Sequence, residues 1–287
     1  MTFSYARPES LDEAFAVLRD APDARVLCGG TDLIVGLRKG TIRPSRVVDL
    51  KGIAQLTPGV DVRDGMLRIG ATTILTEIIE DRHVNEHIPA LVEGARVVGS
   101  IQIRNRATLA GNVCNASPAA DTVPPLLVYG AVVELLSRDG VRRVALADFI
   151  VGPGRTILQP GEIVSAIELP IPATPRGSAF GRMTRRRGVD LATVNLCCLV
   201  TADGTTRFAF GAVGPRALVV TDDGGALTDP ATTEDARGQA LARMTALATP
   251  ISNVRASREY RQAMLEVLSR RAFDTARRRL ENSADAR

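Results

Sequence analysis

Two glycine-bearing segments hold most of the residues whose types and spacing suit binding chemistry. The first glycine segment, Val26 to Leu33, reads VLCGGTDL, and the second glycine segment, Arg104 to Pro125, reads RNRATLAGNVCNASPAADTVPP. Both combine glycines and other small residues with hydroxyl and amide side chains. Such residues fill a core poorly but let main-chain N–H groups approach a bulky polar ligand. Two such segments, each fed by an apolar run, predict a phosphate-bearing cofactor held between them.

The first glycine segment is expected to lie where a strand meets a helix. Gly29 and Gly30 then leave N–H groups facing outward, and a helix beginning near Thr31 adds its positive end, which favours a pyrophosphate. In the second segment, further donors are expected at Thr108, Gly111 and Asn112. Asp121 is placed to accept a hydrogen bond from a ribose or ribityl hydroxyl. Each segment alone is also compatible with a simple tight turn.

Other chemistries find little support. His83 and His87 are four residues apart and can share a helix face, but no H-E-x-x-H pattern and no third ligand is evident, so surface histidines are favoured over a metal site. The chain lacks the G-x-S-x-G elbow, the phosphate loop G-x-x-x-x-G-K-[ST] and the pattern G-x-G-x-x-G. No catalytic residue and no metal ligand is therefore predicted.

Composition narrows the class further. The 287 residues are 45% hydrophobic and 24% charged, as in a soluble globular protein of two domains. No apolar run reaches the ~20 residues that span a bilayer, and no signal peptide is evident, so a cytoplasmic protein without a membrane span is expected. The net charge is +4 with no tryptophan, which argues against nucleic-acid binding.

The four cysteines, Cys28, Cys114, Cys197 and Cys198, show no C-x-x-C spacing. Structural zinc, an iron–sulfur cluster held by this chain alone and a disulfide framework are not expected. Cys197 and Cys198 lie in the apolar run LATVNLCCLV and are predicted to be buried thiols.

Alternating strands and helices up to about residue 170 predict an α/β domain in two lobes. The predicted strands are Arg25–Cys28, Arg46–Leu50, Met66–Gly70, Ala131–Leu136, Val141–Leu146 and Ile163–Leu169. The predicted helices are Leu11–Leu18 with a capping box at Ser10 and Glu13, a helix capped by Thr31 or Asp32 and ended by Gly40, Ile74–Ile79 and Ile88–Val98.

Several prolines between Pro170 and Pro175 predict a domain boundary. Beyond it the pattern is α+β. The predicted strands are Ala192–Thr201 and Arg207–Val213, and the predicted helices are Glu234–Leu247 and Ser257–Leu280. In the last helix the face expected to pack on a sheet carries Tyr260, Met264, Val267, Leu268 and Ala272.

At three motifs the sequence resembles the FAD-binding subunit of the molybdenum hydroxylases, a family that includes the medium subunits of bacterial xanthine dehydrogenases and aerobic carbon monoxide dehydrogenases. These motifs are CGGTDL at 28–33, TLAGNVCNASPAADT at 108–122 and ATPISNVRASREYRQAMLEVL at 248–268. The resemblance covers essentially the whole chain, with the motifs in the family's order. It implies an α+β fold with a two-lobed α/β FAD-binding domain of the vanillyl-alcohol oxidase (PCMH) type. That domain would span residues 1–172, with lobes of about 1–55 and 56–172, followed by a smaller α+β domain at 173–287.

The resemblance also implies a set of FAD-binding residues. It places the pyrophosphate against Leu27, Cys28, Gly29, Gly30, Thr31, Asp32 and Leu33, and against Thr108, Ala110, Gly111 and Asn112, with Cys114 also at the cofactor. Asp121 would contact the ribityl chain, Val164 would lie near the adenine, and Phe180 and Arg182 would border the isoalloxazine. The sequence departs from the family at three of these positions. Ala110 replaces a glycine, Arg182 stands where lysine is frequent, and Phe180 stands where tyrosine is common.

The function implied is electron transfer within a heteromeric enzyme. A molybdopterin large subunit would oxidise the substrate, a small subunit with two [2Fe–2S] clusters would relay electrons, and the flavin would pass pairs to an acceptor such as NAD⁺. Positive charge at Arg182 to Arg187 would stabilise reduced flavin or attract a phosphorylated nicotinamide, unless this segment is a solvated turn or a subunit contact. The alternatives are a stand-alone FAD oxidase or dehydrogenase, disfavoured by the lack of a histidine or tyrosine base in the flavin segments, and a flavin-free assembly module.

Overall fold

The computed structural model describes residues 2–171, 174–222 and 224–285. Over these residues the chain forms three larger β-sheets in sequence order, each with helices packed on it and each with its own cluster of buried apolar side chains. Helices in the described ranges are all too short or too polar to cross a membrane. The mixed α/β architecture predicted from the sequence is confirmed.

The N-terminal lobe is built on a parallel sheet with the strand order β1-β3-β2. Its elements are β1 (Ser4–Ala6), α1 (Leu11–Asp20), β2 (Arg25–Leu27), α2 (Leu33–Lys39), β3 (Arg46–Asp49) and a 3₁₀ turn (Leu50–Gly52). The predicted cap of α1 is confirmed, because the Ser10 hydroxyl accepts from the Glu13 N–H at 3.3 Å. Glu13 reaches the Glu9 N–H at 2.9 Å instead of that of Ser10. The predicted cap position of α2 is confirmed at Asp32, although the Asp32 side chain makes no capping hydrogen bond.

The second lobe is built on an antiparallel sheet with the order β4-β5-β10-β6-β7. Its strands are β4 (Val60–Arg63), β5 (Met66–Gly70), β6 (Val132–Ser137), β7 (Gly140–Ala145), β8 (Ile150–Gly152), β9 (Arg155–Thr156) and β10 (Ile163–Pro170). Its helices are α3 (Leu75–Glu80), α4 (Arg82–His87), α5 (Pro89–Arg96), α6 (Ile101–Arg104), α7 (Leu109–Cys114), α8 (Val123–Val128) and α9 (Leu146–Phe149). The second glycine segment is therefore not simply a loop, because α7 and the start of α8 lie within it.

The C-terminal part is built on an antiparallel sheet with the order β11-β12-β13-β14. Its elements are β11 (Arg176–Met183), β12 (Val194–Thr201), β13 (Thr206–Gly211), β14 (Leu218–Asp222), α10 (Glu234–Ala246) and α11 (Arg258–Asp285). The predicted antiparallel pair of β12 and β13 is confirmed, and Cys197 and Cys198 are fully buried in β12. The predicted division between residues 172 and 173 falls outside the described residues and stays a proposal.

The long helix α11 covers the sheet along β11 and β12. Its buried apolar side chains are Leu265, Leu268, Ala272, Phe273 and Ala276. The predicted face was therefore partly wrong, since Tyr260 and Val267 are 46% and 38% exposed. Gly177 of β11 lets the helix approach closely: a Cβ there would collide with the Ala276 carbonyl oxygen and lie 2.6 Å from the Leu280 nitrogen.

Replacing Gly177 with alanine should lower the free energy of unfolding by about 2 kcal/mol, because a well-packed helix would have to move away from the sheet. Gly181→Ala is the matched control in the same strand. Its Cβ would lie at ordinary contact distance, 3.6 Å from Leu196 Cδ1. Urea unfolding monitored by circular dichroism measures both variants. Equal stability of the two variants would contradict the packing assigned to Gly177.

Candidate cofactor-binding site

The two glycine segments meet at the junction of the two N-terminal lobes. Gly29 lies against the main chain of Arg106 and Ala107, where a Cβ would collide with the Arg106 carbonyl oxygen and stand 2.8 Å from the Ala107 Cα. Glycine is therefore required at position 29 for one segment to touch the other. From the sequence, this glycine was expected to leave room for a ligand. In the structure it leaves room for the main chain of Arg106 and Ala107.

The first glycine segment presents a row of unpaired main-chain donors. The N–H groups from Gly29 to Leu33 have no hydrogen-bond acceptor among the described residues, whereas the Gly30 and Asp32 carbonyls accept from Ile34 and Gly36 at 3.0 and 2.9 Å. Gly30 has a φ of +75°, which turns the chain from β2 into α2. Successive N–H groups on such a turn form a concave site for an anion.

The second glycine segment contributes less than the sequence suggested. Thr108 caps α7, since its hydroxyl accepts from the Gly111 N–H at 3.0 Å and its carbonyl accepts from the Asn112 N–H at 3.0 Å. These two predicted donors are thus used inside the helix. The N–H of the buried residue Ala110 has no acceptor among the described residues. The extra methyl of Ala110 is tolerated, because its φ is not positive.

Two thiols lie at the same junction. Burial raises the pKa of Cys28 to about 11, and burial together with the neighbouring Cys28 raises the pKa of Cys114 to about 12. Because Cys28 raises the pKa of Cys114, the two cysteines lie near each other. Both thiols are protonated at neutral pH, so neither acts as a nucleophile.

Asp121 is buried where the second lobe meets the C-terminal part of the chain. It is 6% exposed, and its Oδ1 accepts from Asn195 Nδ2 at 2.7 Å and lies 3.4 Å from Arg182 Nε. This burial was not anticipated from the sequence. Burial raises the pKa of Asp121 to about 6, although the Arg182 charge and the Asn195 hydrogen bond lower it. Its Oδ2 has no hydrogen-bond partner among the described residues.

Arg182 is held in place by more than Asp121. Its Nη1 donates to the Val97 carbonyl at 3.0 Å, and its Nη2 donates to the Asp190 carbonyl. Among its neighbours in sequence, Arg185 donates to the Val254 carbonyl at 3.0 Å and Arg186, 68% exposed, pairs with Asp190. Arg182 is thus the arginine of this group that lies beside Asp121.

Asn195 is a site residue that the sequence analysis missed. It is fully buried in β12, and its Nδ2 donates to Asp121 and also to the Ala120 carbonyl at 3.3 Å. The available signal was an amide inside the apolar run LATVNLCCLV. A buried amide in such a run needs a polar partner, and here the partner is supplied by the second glycine segment.

The remaining predicted residues lie on two strands. Val164 is buried in β10 beside a register shift, and β10 packs against α7. Phe180 is half-buried in β11, and its N–H donates to Glu93 Oε2 at 2.8 Å. Arg182 follows two residues later on the same strand.

Comparison with known proteins shows the family of the chain. Residues 1–172 match the FAD-binding domain of molybdopterin dehydrogenases, and residues 178–276 match the C-terminal domain of carbon monoxide dehydrogenase flavoproteins. The xanthine dehydrogenase FAD-binding subunit of Escherichia coli O157:H7 is 36% identical over 220 residues, 75% of each chain. The carbon monoxide dehydrogenase medium chain of Afipia carboxidovorans is 32% identical over 98% of this chain and 99% of its own.

Solved structures give the same result. The chain superposes on a structure of Cu,Mo-CO dehydrogenase in its cyanide-inactivated form with a TM-score of 0.90 and 32% identity, covering 97% of this chain and 99% of the other. For quinoline 2-oxidoreductase of Pseudomonas putida 86 the TM-score is 0.88 with 29% identity, covering 96% and 97%. The chain belongs to the FAD-binding medium subunits of the molybdenum hydroxylases, which are oxidoreductases. The family and fold expected from the three motifs are confirmed.

The raised pKa of Asp121 predicts a pH-dependent stability. The carboxyl titrates near 3.8 when unfolded and near 6 when folded, so between these values the folded chain binds more protons than the unfolded chain. The contribution of Asp121 to the free energy of unfolding therefore falls as pH rises through this window, by roughly 2–3 kcal/mol at ~1.4 kcal/mol per unit.

The measurement is urea unfolding of the FAD-free chain and of Asp121→Asn from about pH 4 to pH 7. The asparagine variant lacks this titration, so the stability of the parent relative to the variant should decline across the window. A difference that is independent of pH would contradict the burial assigned to Asp121.

Proposed function

We propose that this chain is the FAD-carrying electron-transfer subunit of a heteromeric molybdenum hydroxylase. It takes electrons from an iron–sulfur subunit and passes them to an external acceptor. The observation that carries the proposal is the row of N–H groups from Gly29 to Leu33, unpaired among the described residues, lying beside α7 at the junction of the lobes. Unpaired main-chain donors at one junction suit the linked phosphates of a dinucleotide.

Each part of FAD has residues that fit it. The pyrophosphate lies against the N–H groups of the first glycine segment and of Ala110, and Asp121 Oδ2 accepts from a ribityl hydroxyl. Val164 lies towards the adenine, while Phe180 and Arg182 border the isoalloxazine. The full proposed set is Leu27, Cys28, Gly29, Gly30, Thr31, Asp32, Leu33, Thr108, Ala110, Gly111, Asn112, Cys114, Asp121, Val164 and Arg182, to which Asn195 is added as a support for Asp121.

The bound flavin supplies the redox chemistry, because it can exchange electrons singly with iron–sulfur clusters and in pairs with other acceptors. The residues of this chain bind and orient it. Asn195 and Arg182 fix the Asp121 carboxylate on one oxygen, which leaves the other to face the cofactor. No side chain is assigned a proton-transfer role, in keeping with the neutral thiols of Cys28 and Cys114.

The expected partners follow from the family. A large subunit carries molybdopterin and oxidises the organic substrate, and a small subunit carries [2Fe–2S] clusters. The names of the relatives support this arrangement, since the Afipia carboxidovorans protein is the medium chain of carbon monoxide dehydrogenase. The acceptor is an oxidant such as NAD⁺, and the complex works in the cytoplasm.

Rapid mixing tests the direction of electron flow. The flavin-loaded chain should show no oxidation of aldehydes or N-heterocycles by itself, and its absorbance near ~450 nm should bleach when the reduced iron–sulfur subunit is added. Bleaching by an organic substrate in the absence of other subunits would favour a stand-alone dehydrogenase. A chain that takes up no added FAD would favour an assembly module.

Gly29→Ala should weaken FAD binding at least about tenfold, because the new Cβ pushes the two glycine segments apart and displaces the donor row. Gly152→Ala is the control. Gly152 lies in β8, where a Cβ would meet nothing within 4 Å. Fluorescence titration of FAD into the apo chains measures the affinity, and circular dichroism verifies that each variant is folded. A folded Gly29→Ala chain with parental affinity would remove the first glycine segment from the site.

A further inference from the structure

Three side chains able to bind a metal ion lie together on α4, outside the proposed flavin site. The ligating atoms of His83, Glu86 and His87 all lie within 4.8 Å of one another. The two imidazole rings are nearly parallel, with centroids 6.3 Å apart and an interplanar angle of 12°. We propose that this helix carries a binding site for one divalent transition-metal ion, formed by His83, Glu86 and His87.

The chemistry of the ligands selects the class of ion. Residues at positions i, i+3 and i+4 share one helix face, so both imidazoles and the carboxylate point to the same side. Two nitrogens and one oxygen suit Cu²⁺, Ni²⁺ and Zn²⁺ better than Mg²⁺ or Ca²⁺, which prefer all-oxygen sites. The remaining coordination positions are left to water.

The distances are compatible with binding after a small movement. Two ligand atoms about 2.1 Å from a tetrahedral ion lie roughly 3.4 Å apart, so the side chains must close by at most about 1.4 Å. His83 and His87 are half-buried and Glu86 is exposed. Rotation about the side-chain bonds of these residues therefore suffices, and the main chain does not have to move.

The main chain beneath the site is already fixed. Asp81 Oδ1 accepts from the N–H groups of His83 and Val84 at 2.9 and 3.0 Å, which caps α4. Val84 is fully buried, and Asn85 Nδ2 donates to the Ile79 and Asp81 carbonyls. Because the helix is held on its inner side, binding an ion costs little more than the ordering of three side chains.

Arg82 opposes the ion. Arg82 Nε donates to His83 Nε2 at 3.3 Å, so the guanidinium occupies a ligand atom and adds a positive charge beside it. The ion must displace this contact. Removing the Arg82 side chain should therefore strengthen metal binding, whereas removing either histidine should weaken it. These opposite changes in affinity distinguish a specific site from general attraction of the ion to the surface.

The histidine content makes the test specific. The chain contains two histidines, and both belong to this site. In tag-free, flavin-loaded full-length protein labelled with ¹⁵N-histidine, one equivalent of Cu²⁺ should broaden both imidazole signals, while Mg²⁺ and Ca²⁺ leave them unchanged. Isothermal titration should give one site, with Cu²⁺ bound more tightly than Ni²⁺ or Zn²⁺.

Single substitutions show whether each side chain strengthens or weakens Cu²⁺ binding. His83→Ala and His87→Ala should each lower the Cu²⁺ affinity at least about tenfold, and Glu86→Gln should lower it by a smaller factor. Arg82→Gln should raise it by about threefold, since a nearby positive charge is removed. All four chains keep the cysteines, and their melting temperatures in chelator should equal that of the parent, which controls for folding and for thiol binding.

The proposal is overturned if the chain lacking both histidines binds Cu²⁺ as tightly as the parent, which would indicate adventitious binding elsewhere. Imidazole signals that do not respond to a stoichiometric amount of Cu²⁺ would overturn it as well. Both outcomes concern the histidines of α4 and can be measured on the chain with or without bound flavin, so the metal site and the proposed electron-transfer function can fail separately.

Discussion

The contact between the main chains of Gly29 and of Arg106 and Ala107 is the constraint on which the candidate site depends. It joins the two N-terminal lobes at the end of β2 and the start of α7, where each lobe has unpaired main-chain N–H groups among the described residues. A side chain at position 29 would separate the lobes and with them the donor rows. Gly30 then turns the chain through a positive φ, so that the following N–H groups stay unpaired within the described residues. The two adjacent glycines thus have different roles. Gly29 lets the two main chains touch, and Gly30 allows the positive φ that turns the chain.

The C-terminal part of the chain reaches the same site through buried polar contacts. A buried carboxylate is costly unless an opposite charge and hydrogen bonds compensate it, and Asp121 obtains both from β11 and β12, through Arg182 and Asn195. Arg182 is itself tied to the Val97 carbonyl at the end of α5. Removing Arg182 would leave the buried Asp121 carboxylate without an opposite charge. The contacts therefore couple the packing of the C-terminal sheet to the position of the carboxylate.

The sequence predicted most strands of the larger sheets because their apolar residues alternate or form buried runs, but it missed β1, β4, β11 and β14. It predicted α1 from its cap and the two C-terminal helices from their spacing. It predicted no helix in the second glycine segment, whose glycines and prolines are compatible with a tight turn. Thr108 instead caps a helix there, and the prolines of α8 stand in its first turn, where no N–H bond is lost. The burial of Asp121 could not be predicted, because its partners belong to strands that follow much later in the chain. The strand β4 is short and polar (VDVR), so its pattern does not differ from that of a loop.

In the proposed site, the geometry of the hydrogen-bond donors matters more than the net charge. Two cationic groups near it are matched by carboxylates, Arg182 by Asp121 and Lys51 by Asp49 at 2.6 Å, while the Lys51 ammonium also donates to the Cys28 carbonyl. The donors proposed for the pyrophosphate are main-chain N–H groups, whose positions are set by the backbone. Charge attraction falls slowly with distance, but a hydrogen bond weakens steeply when its geometry changes. Small displacements of the two glycine segments should therefore matter more for the cofactor than changes of surface charge around them, which is why the main-chain contact at Gly29 has more influence than the arginines of the neighbouring turn.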